Sequence, residues 1–110
     1  MENEFLSAKG KRELGVLITQ LRERLGITNW TEFAETLSSR AGYLIGHDQL
    51  WKVAQGYIRR APSMELVYAL TLFDEFQAPD GTHLTVEVVA KILAGELSVL
   101  STDAAHHQPD

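Results

Sequence analysis

From Leu14 the apolar positions Leu14, Leu17, Ile18, Leu21 and Leu25 recur at intervals of three and four, the repeat of one buried helix face. Gly26 is placed to end that helix. Asn29 opens a second one: it is a helix-capping residue type, and Glu32 follows three positions later as in a capping box. Trp30, Phe33, Ala34 and Leu37 give this helix its apolar side. Between Arg40 and His47, Gly42 and Gly46 predict an irregular connection that still buries Tyr43, Leu44 or Ile45. A third helix starts near His47 or Asp48, with Leu50, Val53, Ala54, Tyr57 and Ile58 at helical spacing and Gly56 as its stop. Pro62 and Ser63 open a fourth, lined on its inner side by Leu66, Ala69, Leu70, Phe73 and Phe76. Pro79-Asp80-Gly81 reads as a turn.

The last element carries two patterns. His83 to Val88 alternates like a strand, whereas Val86, Val89, Ala90, Leu93, Leu97 and Leu100 keep helical spacing; a helix capped by Thr85 is the preferred reading. Val88, Ile92 and Val99 form a second apolar stripe, more than one face buries, and are the candidate surface for pairing two copies. The expected organisation is an N-terminal arm at 1–13, a four-helix unit at 14–77, a C-terminal helix for dimerisation at 78–100 and a disordered polar tail at 101–110. The fold class is thus all-α, a small bundle of about five helices without internal repeat.

A chain of 110 residues, 45% apolar, bounds this to one domain. The absence of cysteine excludes a disulfide scaffold and thiolate zinc, and fits a reducing cytoplasm. The start, Met1-Glu-Asn-Glu-Phe-Leu, is acidic where a signal peptide is basic, and no apolar run approaches the roughly 20 residues of a membrane span. The net charge of −5 argues against a nucleic-acid partner until its distribution is considered. Residues 9–60 hold nine of the ten Lys and Arg against five acids, whereas 61–110 hold Lys91 against eight. The basic half is a candidate binding face or a solvated surface; the acidic half is accessory.

Three short helices with a capped second member and a polar-fronted third describe a helix-turn-helix, a pattern other small bundles share. Four stretches carry a closer likeness: Gly15 to Arg22, Gly26 to Ala34, Leu50 to Gly56 and Pro62 to Leu66. In order and phase they resemble the repressor-type helix-turn-helix family (XRE or Cro-like, lambda-repressor-like). There they match a first helix, a capped second helix, a recognition helix closed by glycine, and a Pro-Ser start to helix four. Two features depart from that pattern. The stretch Ala34–Leu50 is longer than usual, and Trp30 and Ala54 stand where the family often has glutamine and glutamate.

The resemblance implies sequence-specific binding of double-stranded DNA by a homodimeric transcriptional regulator, most simply a repressor. It places His47, Asp48, Gln49, Trp51 and Lys52 at base edges. Their chemistry suits this: Gln pairs with adenine, Lys donates to guanine, and Asp accepts from cytosine. Trp51 meets a thymine methyl or belongs to the core. Asn29, Trp30 and Thr31 would offer backbone N–H groups to a phosphate, and Arg59 and Arg60 would clamp the DNA backbone. Simpler readings stand beside these: Asp48 as a helix cap, His47 as a turn residue, the arginines as ordinary surface, and Lys9, Lys11 and Arg12 as a basic arm or a solvated terminus. No phosphate-binding glycine loop, nucleophile–base pair or metal-ligand spacing is present, so no enzyme activity, cofactor or metal is expected. The rival reading is a protein-interaction module on the same fold, an antitoxin or a phage-type accessory protein, which the net acidity favours.

Overall fold

The computed structural model describes residues 7–100, which form five helices: α1 (Ala8–Arg24), α2 (Trp30–Ala41), α3 (His47–Gln55), α4 (Met64–Thr71) and α5 (Val86–Leu93). Among these residues the only β pairing is an isolated bridge between Gln77 and His83. The strand-like alternation at 83–89 therefore resolves as helix after Leu84, with Thr85 Oγ1 accepting from the Val88 N–H. Asn29 and Ser63 cap α2 and α4 as expected, accepting from the backbone of Glu32 and Leu66. Each such cap contributes about 1 kcal/mol by satisfying an N–H the helix itself leaves unpaired.

Three boundaries differ from the sequence expectation. The first concerns the arm at 1–13: from Ala8 it is helix, because Ser7 Oγ accepts from Gly10 N–H at 2.7 Å and both Gly10 and Glu13 are buried. Residues 1–6, like the tail at 101–110, lie outside the described residues. The second is the end of α4. It stops at Thr71, and Phe73 and Phe76 are buried from a chain of tight turns instead. The third is α5, which ends at Leu93. Gly95, at φ 81°, lets its own N–H reach Ile92 O and the Glu96 N–H reach Lys91 O, closing the helix before Leu97.

One core runs through all five helices. Leu14, Ile18 and Leu21 of α1 cluster with Phe33 and Leu37 of α2, Leu50 of α3, Leu66 and Leu70 of α4, and Ile92 of α5. α1 lies against α3 and α5, α2 against α3 and α4, and α4 against α5. The expected separation of 14–77 from 78–100 is consequently absent: Leu84, Val89 and Ile92 belong to the same core as Leu14.

Two close approaches set this arrangement. A Cβ on Gly10 would stand 2.1 Å from Ile92 O, and one on Gly15 would stand 2.2 Å from Ala54 O, so glycine alone lets α1 seat flush against α5 and α3. Arginines tie down the connections. Arg22 Nη1 donates to Ile27 O and Thr28 O, Arg24 Nη1 to Glu75 O and Gln77 O, and Arg40 Nη2 to Leu72 O. At the other end, the buried Glu13 carboxylate accepts from Ser98 Oγ, Val99 N–H and Leu100 N–H, fastening residues 98–100 over α1. In the α2–α3 connection Ile45 is buried and Tyr43 half-buried, with its hydroxyl donating to Glu65 O, while Leu44 is 89% exposed. Among the described residues no helix is long and apolar enough to cross a membrane.

Candidate nucleic-acid interface

α3 is amphipathic in the sense its sequence demands: Leu50 and Val53 point into the core, leaving His47, Asp48, Gln49, Trp51, Lys52 and Gln55 exposed. Gly46, with no side-chain bond, occupies the N-cap position, so Asp48 is not the cap. Its Oδ1 lies 3.2 Å from His47 Nε2, and both side chains are open to solvent. A carboxylate in the first turn is favourable beside the positive end of the helix.

The C-terminus of α3 orients the segment that follows. Gly56, at φ 79°, donates to Val53 O while the Tyr57 N–H donates to Lys52 O, a double bond pattern that reverses the chain. That reversal turns Tyr57 outward, 67% exposed, instead of onto the inner face its spacing predicts. Lys11 Nζ then donates to Ile58 O at 3.1 Å. The next residues, Arg59 and Arg60, are exposed, and the chain enters the α4 cap at Ser63.

The result is an open groove of about 540 Å³ between α3 and this segment, lined by Asp48, Gln49, Lys52, Arg59, Arg60 and Ser63 among others. Three cations stand against one carboxylate in its walls, so it is electropositive within an acidic chain. The Gln49 amide donates to Ser63 Oγ at 3.4 Å, a long bond that draws the side chain toward the α4 cap. The groove thus presents an amide, an ammonium, two guanidiniums and a carboxylate on one wet surface, the groups that bond to base edges and phosphates.

Not every residue singled out in the sequence joins this groove. Asn29 has its side chain bound to Glu32 N–H, and Thr31 is exposed beside it. Trp30 is half-buried beneath the Arg22 guanidinium, 4.7 Å from the ring centroid, and tilted against Phe33. These three lie at the start of α2 and do not line the α3 groove. Trp51 is not a core residue: it is 39% exposed and meets Tyr57 edge-on at 5.6 Å.

The stripe expected to pair two copies is largely taken up within the chain. Ile92 is fully buried against α1, which removes it from any external surface; Val88 and Val99 are half-buried against the core. The outward apolar surface of α5 is a different one, a groove of about 530 Å³ shared with α4 and lined by Met64, Val67, Val86, Ala90, Leu93 and Ala94 among others. Sequence spacing missed Ser63 as a wall of the groove and Tyr57 as the neighbour of Trp51. Only the fold of the chain after Gly56 and the return at Pro62 bring them there.

Among the described residues no group of three His, Asp or Glu is placed to share a metal ion. The chain matches no family model, no curated protein and no solved structure.

Proposed function

We propose that this chain is a sequence-specific, double-stranded DNA-binding regulator of the lambda-repressor-like helix-turn-helix type, acting in the cytoplasm as a homodimeric repressor. In this reading α2 and α3 are the two helices of the motif, and α3 enters the major groove. The observation that carries it is the electropositive groove that joins the polar front of α3 to Arg59 and Arg60. Asp48, Gln49 and Lys52 read bases there, His47 stands at their edge, and the arginines hold the phosphate chain. The α2 N-terminus, with Asn29 and Thr31, offers a further backbone contact to phosphate.

The second copy seats on the α4–α5 groove, whose lining includes Met64, Val86 and Ala90. That groove is apolar, with Lys91 paired to Glu87 at 3.9 Å and Glu96 also in its lining, so a two-fold axis would bury one apolar surface against its own copy. Two-fold-related half-sites on the DNA follow from such a dimer.

Selection of bound duplexes from a random pool, at two salt concentrations, tests the reading. Enrichment of a two-fold-related sequence is expected. Replacing Arg59 and Arg60 by alanine is expected to weaken binding to every sequence and to reduce the slope of log affinity against log salt by about 2. Gln49→Ala and Lys52→Ala are expected to change which bases are preferred. Binding that is indifferent to both sets of variants, with the fold intact, would refute the placement.

A further inference from the structure

The geometry points to Trp51 as a thymine-reading residue of α3, with Tyr57 as the residue that positions its ring; the inference rests on the DNA-binding reading above. Three observations lead to it. Trp51 is exposed over 39% of its surface, so among the described residues an indole edge is left open on α3. Its helical position sets it on the outward arc of α3 with His47, one turn earlier, and Gln55, one turn later. It also has an aromatic neighbour: Tyr57 packs edge-on at 5.6 Å and 72°, and the Tyr57 backbone is bonded to the last turn of α3 through its N–H to Lys52 O.

The polar groups of α3 answer the donors and acceptors of base edges, but the major groove offers one apolar feature, the 5-methyl group of thymine. A fixed indole beside Lys52 and Asp48 is suited to that methyl. A loose one would give part of the contact back as lost side-chain freedom on binding. Tyr57 therefore acts through Trp51, by limiting the orientations its ring adopts.

The test uses the full chain and a duplex enriched from the random pool, in which each thymine is replaced in turn by deoxyuridine, removing the methyl alone. The wild type is expected to lose several-fold in affinity at one or two positions per half-site. Trp51→Ala is expected to lose this preference for thymine over deoxyuridine, with the other base preferences kept. Tyr57→Phe retains it, and Tyr57→Ala reduces it at unchanged thermal stability. Indifference of the wild type to every deoxyuridine, or an unchanged preference in Trp51→Ala, overturns the assignment while leaving the DNA-binding reading in place; equally tight binding of the single strands overturns both. A pool that yields no enriched duplex overturns that reading and this inference together.

Discussion

The carboxylate of Glu13 lies within hydrogen-bond distance of Ser98, 2.7 Å from its hydroxyl, although 85 residues separate them. Glu13 is 4% exposed and also receives the N–H groups of Val99 and Leu100, so one buried carboxylate fixes residues 98–100 over the first helix. Hydrogen bonds to a carboxylate are stronger than neutral ones, and removing a buried acceptor leaves its donors unpaired. Glu13→Ala is expected to destabilise the fold by about 2–3 kcal/mol. Ser98→Ala is expected to cost about 1 kcal/mol, since two of the three donors keep their acceptor. Urea denaturation of the two variants checks both the order and the size.

Gly10 and Gly15 sit inside α1, where alanine normally gains about 1 kcal/mol over glycine. The opposite sign is expected here. A methyl group at either position would overlap a backbone oxygen, of Ile92 or Ala54, that has no rotamer by which to move aside. Each Gly→Ala variant is expected to lose about 1–3 kcal/mol, as overpacked sites do. A melting temperature at or above the wild type would contradict the flush packing of α1.

The α4–α5 groove makes a prediction about assembly. Ala90 is exposed within it, so Ala90→Arg leaves the monomer core untouched while filling the proposed contact with a charge. Sedimentation is expected to show the wild type as a dimer and Ala90→Arg as a folded monomer. Its affinity for a two-fold site would then fall toward that for a half-site. A dimer that survives this substitution does not use the groove.

Asp80 supplies a pH dependence. Its carboxylate accepts from the Thr82 N–H at 2.9 Å in the turn after Pro79. The backbone and side-chain hydrogen bonds of Thr82 hold its pKa below the usual 3.8. The folded value being depressed, the wild type has an increment of stability over Asp80→Ala that is fully present above the unfolded pKa and disappears as pH falls through the folded one. Denaturation curves for the pair, from neutral pH to about pH 2, are expected to converge only at the acid end.

Wherever a helix begins with a side-chain cap just ahead of an apolar repeat, it is legible in the sequence: Asn29, Ser63 and Thr85 all cap where spacing places them. α1 begins earlier than its apolar repeat because its first turns bury Gly10 and Glu13, residue types that carry no hydrophobic signal. Phe73 shows the opposite failure. It keeps the helical period and is buried, yet α4 has already given way to tight turns, so periodicity reports the buried side and not the backbone. At the site, the exposed front of α3 follows from the burial of Leu50 and Val53. That Gln49 leans on Ser63, and that Trp51 meets Tyr57, depends on how the chain reverses at Gly56, which no spacing rule contains.

The arginines that tie down the connections change what the basic half of the chain is for. Of its nine cations, Lys11, Arg22, Arg24 and Arg40 each hold a backbone carbonyl of this same molecule, Lys9 and Arg12 lie on α1, and Lys52, Arg59 and Arg60 line the α3 groove. On the DNA-binding reading proposed above, a protein built in this way is expected to grip any random stretch through few charges and to release it quickly. Its search for a target is expected to proceed by brief visits and frequent detachment, with residence time set by the match of bases and by the second subunit, and with little sliding in between.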